Sequence, residues 1–500
     1  MGLALKSILL AALLAGSAQA GPWAMPGDAR LRADVELLKS FGHIDGPMNA
    51  WPLPWAQIDD GIAHARNAGA QPPALEAALK RLEALSDRNS QRSRYEVKLA
   101  ATTEAALVRG FAETARNPGD ATVTASHDLG ALSITWGGSW VSGGKDDQPA
   151  TRSNNSFSYA PSHAALKLGD WALYGGWVDS YWGPGHDGSL LFSTSARAFP
   201  KVGIRMMRPK DIDLPVLRWL GPVSFDMFAG ILREERDFNN PAVIGIRFAF
   251  QPTRYFEIGL NRALQLCGSG RPCDFKTIAR ALIGVADFDN TGTLDEPGNQ
   301  IAGFDMAYRR PIGKTGHALK LTFETVAEDA DNILIEQFAR QIGGAVLGPI
   351  GTKGASYEAG IEYTDTQAAK FLGRLMGGET WPGSIYNNFI YTDGYTYGRR
   401  PIGFSLDGDA RIFTLHGAVV DTKNRRWHAS ARAITLNLHE DPRYRISQSR
   451  ERIGLLTGGV NWPTQIGDMR FEGRIQKNAV NTPESSPLRV QAEVGWTSRF

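Results

Sequence analysis

From about Thr122 to Phe500, apolar side chains recur at every second position, and any fold assigned to this chain must satisfy that period of two. Leu132, Ile134 and Trp136 alternate with polar or small residues, as do Leu166 and Leu168, then Val223, Phe225 and Met227, then Ala242, Ile244, Ile246, Phe248 and Phe250. Leu319, Leu321 and Phe323 repeat the pattern, and Met469, Phe471 and Ile475 carry it toward the end. Each run is roughly ten residues long, with Gly, Ser, Thr or charge on its second face and a turn cluster after it. Strands of a transmembrane barrel read this way, with lipid outside and a polar lumen inside. A β-sandwich or propeller would also alternate.

The closing stretch separates these architectures. In LRVQAEVGWTSRF, Leu488, Val490, Ala492, Val494 and Trp496 share a face with Phe500, while Arg489, Gln491, Glu493, Thr497 and Arg499 take the other; only Ser498 breaks the apolar row. This resembles the last strand of bacterial outer-membrane proteins, whose terminal aromatic residue is part of the signal read by the barrel assembly machinery. The expected fold is therefore mainly β, a transmembrane antiparallel β-barrel. At roughly 20 residues per strand and connection, the segment from Thr122 leaves room for about 16 to 20 strands, an even number being the bacterial rule. No apolar run beyond residue 20 reaches the length of a membrane-spanning helix, which leaves a closed barrel as the way to satisfy every backbone group in lipid.

Residues 1–20 carry Lys6, an apolar run from Ile8 to Ala15, and Ala18 and Ala20 around Gln19, the form of a secretory signal peptide cleaved near Gly21. Export removes cytoplasmic cofactor enzymes from consideration, and no cofactor is expected. Residues 21–120 read as a helical domain on the periplasmic side. Leu31, Val35 and Leu38 follow Pro26 and Asp28; Trp55, Ile58, Ile62 and Ala65 follow Pro54; Leu75, Leu79, Leu82 and Leu85 follow Pro72-Pro73. Each stripe is narrow, so the helices must pack on each other or on a larger body. The Pro-rich aromatic linker from Phe41 to Trp55 is expected to wedge them against their neighbour, a barrel over residues 121–500. The net charge of +2 argues against a nucleic-acid partner.

Cys267 and Cys273, in CGSGRPC, are the two cysteines of the chain. In an exported protein a close pair separated by Gly and Pro is expected to form a disulfide, and no His or further Cys stands near to make a metal site. Gly313 to Thr315 ends like a phosphate-binding loop, but Tyr308 occupies the required first glycine. HExxH, GxSxG and CxxC are absent. Asp287, Asp289, Thr291, Gly292 and Asp295 fall at calcium-loop positions, yet Gly298 stands where the closing Glu belongs, so an acidic surface loop is expected. Asp179 with Asp187 could pair for glycoside cleavage, a matter of their separation in space.

Two aromatic loops remain. YGGWVDSYWGPGHDGSLLFSTSARAFP, Tyr174 to Pro200, holds Trp177, Tyr181 and Trp182 beside a Gly/Pro turn cluster and leads to Arg197. Such density of turn residues demands strand, ordered loop, strand. In YNNFIYTDGYTYGRRPIGFSLDGDA, Tyr386 to Ala410, tyrosines interleave with Asn, Asp, Arg399 and Arg400. Exposed rings cover the C–H faces of sugars and Arg clamps carboxylates, which suits an acidic polysaccharide. An interfacial aromatic belt with lumen-facing arginines is the competing reading.

The block from Tyr174 to Ile204 resembles the signature of the Wzi capsule-assembly family of Gram-negative outer membranes. DVELLKSFGHIDGPMNAWPLPW (Asp34 to Trp55), the CGSGRPC loop and YTDGYTYGRRPIGFSLDGDA (Tyr391 to Ala410) agree with it, in order along nearly the whole mature chain. The resemblance implies a periplasmic helical bundle on an 18-stranded outer-membrane barrel, and a lectin-like protein that helps hold group 1 type capsular polysaccharide on the cell surface. The expected binding set is Trp177, Tyr181, Trp182, Tyr391 and Tyr395 as stacking rings, with Asp179, Asp187, Arg197 and Arg399 as polar contacts. A non-enzymatic monomer seated among outer-membrane lipids is expected, holding the polymer by many weak contacts. The rivals are a diffusion channel and a barrel enzyme acting on glycan or lipid with a Ser or Asp beside His163 or His186.

Overall fold

The computed structural model describes residues 21–142, 156–283, 298–314, 316–328, 337–370, 380–482 and 487–500. The leader and the Asp287–Asp295 acidic loop lie outside the described residues. Among the described residues, 18 antiparallel strands close into one barrel, from Ser93–Thr102 to Leu488–Arg499. The seam is sealed where those two strands pair in antiparallel register, Trp496 opposite Leu99 and Arg499 opposite Glu96. Tyr95 N–H donates to Phe500 O at 3.1 Å and Phe500 N–H returns the bond to Tyr95 O at 2.9 Å. The barrel therefore begins at Ser93 rather than at 121. Tyr95, Val97, Leu99 and Ala101 alternate outward there, but the strand follows directly on a helix, and the expected domain boundary passed over it.

The alternation sorts side chains the opposite way from a water-soluble protein. Leu415 and Val490 are 49% and 73% exposed on the outer wall, while Arg247 and Arg309 are 2% exposed within. Apolar outside and charged inside is stable only where lipid surrounds the wall. Tyr95, Trp171, Trp427 and Trp462 ring one end of the outer surface, and Trp140, Phe157 and Tyr159 stand exposed toward the other.

Short turns, among them 129–131, 421–425 and 465–466, gather at one end of the barrel, and the longer segments 103–118, 178–199, 267–283 and 380–410 at the opposite end. Three helices close the short-turn end: α1 (Ala29–Ser40), α2 (Trp55–Asn67) and α3 (Pro73–Asn89). Asp28 caps α1, its carboxylate accepting from the Arg30 and Leu31 N–H groups at 3.0 Å each. The expected stripes meet one another, with Leu31, Val35, Leu38, Ile58, Ile62, Leu75, Leu79 and Leu82 in a common core that also takes in Ala318 and Leu347 of the barrel. On its lumenal side α1 is charged. Glu36 is bonded by Arg309 at 2.6 Å and Lys320 at 2.8 Å, and Lys39 Nζ donates to Ile44 O, Gly46 O and Gln251 Oε1 at 3.0, 2.6 and 2.7 Å. Buried ionic contacts of this kind add little net stability but allow one docking position. The aromatic linker goes further than a wedge and enters the lumen. Asn49 Nδ2 donates to Asp305 at 2.9 Å, its N–H to Glu257 at 3.0 Å, and Trp51 pairs with Tyr181 in a two-residue ladder.

Candidate functional site

The two aromatic loops fold inward and plug the barrel. Their backbone amides are orphans once out of water, and carboxylates on the inner wall receive them. Glu324 Oε1 accepts from Leu190 N–H at 2.6 Å and Ser189 Oγ at 2.8 Å; Glu362 accepts from His186 N–H at 2.7 Å and Asp187 N–H at 2.9 Å; Glu328 accepts from Tyr386 N–H. The loops also hold each other, since Ser193 N–H donates to Ile402 O at 2.9 Å. Gly183 and Gly185 press so closely on the wall that a Cβ on either would collide with Glu324 or Gln341.

This packing corrects the expected binding set. Tyr181, Trp182, Tyr391 and Tyr395 are all 2% exposed or less and present no face to a ligand. Trp182 packs edge-on to Phe192 with centroids 4.8 Å apart, Tyr395 stacks on Tyr386 at 6.0 Å, and Tyr391 Oη donates to Cys267 O at 2.8 Å. A plug inside a polar lumen must bring its own apolar core, and these rings supply it. Asp187 is likewise buried, taken up by Arg432 Nη2 at 2.8 Å, His186 Nδ1 at 2.9 Å and Thr414 Oγ1. The other four expected residues remain open to contact. Trp177 is half-buried at a strand end opposite Pro200; Asp179 and Arg197 are half-buried; Arg399 is exposed at φ 61° in the turn between Thr396 and Pro401.

Asp179 and Arg197 line a cavity of about 470 Å³ left between the plug and the wall strands Ser93–Thr102, Gly119–Asp128 and Leu132–Val141. Its lining runs from Asp468 and Phe500 at the helical end to Arg116, Asp120 and Arg197 at the long-loop end. Toward the helices its charges pair, Lys98 with Glu113 at 2.9 Å and Arg30 with Asp468 at 3.3 Å. Arg197 makes no hydrogen bond or ion pair among the described residues. A larger concavity, about 1120 Å³, lies on the outer wall among residues such as Ala101, Gly417, Ala429 and Ala492, and its surface is apolar.

His163 is turned to Pro161 O at 2.9 Å and stacks on Trp23, and His186 lies against His416 with centroids 3.9 Å apart. Cys267 and Cys273 are bonded, as the compartment argument expects. Among the described residues no group of three His, Cys, Asp or Glu side chains could hold a metal. The wall carboxylates Glu324, Glu328 and Glu362, with Arg432, were not singled out in the sequence. Their charge on the inward phase of a strand marks the lumen, but nothing local to them names the loop they receive.

The family model for the capsule assembly protein Wzi matches residues 88–487. The chain belongs to the Wzi family. A Klebsiella pneumoniae relative, described as an uncharacterized 55.8 kDa protein in the cps region, is 28% identical over 413 residues, covering 80% of this chain and 75% of its own. Among solved structures, Escherichia coli Wzi, described as a carbohydrate-binding outer-membrane β-barrel involved in group 1 capsule assembly, superposes with a TM-score of 0.78 at 21% identity, over 95% of this chain and 99% of its own. That likeness extends the shared fold across the helical end as well as the barrel.

Proposed function

We propose that this Wzi-family barrel binds exported capsular polysaccharide at its long-loop end and helps hold it on the cell surface, without cleaving it. In bacterial barrels short turns face the periplasm and long loops face out, so the helices stand on the periplasmic side. Insertion would proceed through the closing strand that ends at Phe500, and the barrel would sit as a monomer among outer-membrane lipids. The observation that carries the reading is the plug. A lumen filled by hydrogen-bonded loops is built to hold a surface in shape, and among the described residues it leaves the side chains of Trp177, Asp179, Arg197 and Arg399 without hydrogen-bond or ion-pair partners. Immobilised polymer from the producing strain should retain the purified protein, and Asp179→Ala with Arg399→Ala should weaken retention while the circular dichroism of the barrel is unchanged. Equal retention by the double variant would remove these residues from the site.

The cavity's reach from one end to the other is the observation that favours a diffusion channel. The Lys98–Glu113 and Arg30–Asp468 pairs cross its helical half, and single-channel recording in a planar bilayer is expected to show no stable open level. A steady conductance would move the assignment to a channel.

A further inference from the structure

We infer that the long-loop end of the cavity is a carboxylate-binding subsite, in which Arg116 and Arg197, with Arg400 packed against Arg116, receive the acid group of a uronic-acid type sugar unit. This rests on the polysaccharide reading above and names the chemistry that the polymer must carry.

The protein gathers charge there that it does not itself balance. Arg109, Arg116, Arg197 and Arg400 come from three separate segments and converge where the connection 103–118 meets the plug. Arg109 is 2% exposed, and its guanidinium donates only to neutral acceptors: Thr114 O and Thr114 Oγ1 at 2.7 Å, Ala115 O at 3.3 Å and Thr194 O at 3.4 Å. Arg116 Nη2 donates to Thr194 O at 2.9 Å and Ala196 O at 3.1 Å, while its Nε is buried with no partner among the described residues. Arg400 Nη2 lies 3.3 Å from Arg116 O, and Arg197 has no partner at all among the described residues. Against four guanidinium groups stands Asp120, which already accepts from Arg116 N–H at 2.8 Å. Glu493 also faces Arg109 and Glu113 faces Arg116, but Glu493 is bridged to Arg470 and Arg474 and Glu113 to Lys98.

Burial, and then the repulsion of its neighbours, pushes Arg109 well below the ordinary guanidinium range and Arg400 down to about 10. Like charges held together out of water cost free energy unless an anion joins them. Guanidinium forks match the two oxygens of a carboxylate, and Arg116 and Arg197 both line the open cavity. Arg109 lies behind them and fixes Arg116 through the shared Thr194 carbonyl, a positioning role.

Arg197→Gln is the informative variant because removing a side chain with no partner leaves nothing unpaired. Full-length protein in detergent is titrated with the producing strain's extracellular polymer, native and with its carboxyls reduced to alcohols. Wild type should bind the native form at least about tenfold more tightly, the scale of one charge-assisted bond, and Arg197→Gln should erase that ratio. Equal binding of both polymers by wild type, or an unchanged ratio in the variant, overturns the subsite and leaves polysaccharide binding in place. Thermal unfolding with added glucuronate, glucose or inorganic phosphate separates the remaining cases. Stabilisation by glucuronate alone, lost in Arg197→Gln, supports the subsite even if neither polymer binds, which would sink the polysaccharide reading instead. Stronger stabilisation by phosphate overturns the carboxylate assignment, and no response to any solute together with no polymer binding overturns both.

Discussion

Asp187→Ala decides between a sugar contact and a keystone of the plug. The carboxylate is 1% exposed and takes Arg432 Nη2 at 2.8 Å and Nε at 3.1 Å, along with His186 Nδ1 at 2.9 Å and Thr414 Oγ1. Deleting it strands Arg432, itself only 10% exposed, as a cation without its partner inside the lumen. Breaking a buried pair from one side costs about 3 to 5 kcal/mol, mostly from the charge left behind. Asp187→Ala/Arg432→Met removes both charges and should recover much of that loss, giving a coupling of about 2 kcal/mol or more. Guanidinium unfolding in detergent, followed by the fluorescence of the 13 tryptophans, measures each variant and closes the cycle. A single variant within about 0.5 kcal/mol of wild type would refute the reasoning, since a surface substitution behaves that way. Lost polymer affinity at unchanged stability would return Asp187 to the binding set.

Three further outcomes are expected. Replacing Cys267 and Cys273 by Ser should cost about 2 kcal/mol by the loop-closure relation for so short a ring, seen as a lower unfolding midpoint without reductant; it should also loosen Tyr391, whose hydroxyl donates to Cys267 O at 2.8 Å. Leu415→Arg, 49% exposed at the middle of Arg411–Val420, should destabilise the barrel in lipid by about 2 to 4 kcal/mol, and a neutral result would place that face in water. Burial of Lys39, only partly offset by Glu257, lowers its pKa from 10.5 to about 8, so the unfolded chain binds the extra proton between those values. Stability should therefore rise with pH across that window, by on the order of 3 kcal/mol, and the rise should be missing in Lys39→Met. Unfolding midpoints at pH 8 and pH 10 test it.

The barrel was legible because lipid outside and water-like lumen inside impose a period of two that no local sequence preference can disguise. The three helices were legible for the parallel reason, each opening at a Pro or at Asp28 and running on a stripe of Leu and Ile. Ser93–Thr102 was missed because the change of period falls within four residues of a helix end, too short a gap to show as a boundary. The aromatic loops were located but misread. Tyr181, Trp182 and Tyr395 have the same composition whether they face a sugar or fill a plug, and the difference lies in Glu324 and Glu362, more than a hundred residues from the first loop, and in Glu328, which holds the second. Arg197 and Arg399 stay candidates because neither side chain has a hydrogen-bond or ion-pair partner among the described residues. Arg116 and Arg109 were invisible, since their meaning depends on three segments converging.

A plugged outer-membrane barrel that keeps polymer at the cell surface and takes no part in making it leaves the amount made unchanged when it is lost. Disrupting the gene and measuring polymer in washed cells and in the medium tests this most directly. An unchanged total with most of the polymer moved into the medium is expected; a normal cell-bound layer, or a fall in total polymer, would contradict that role.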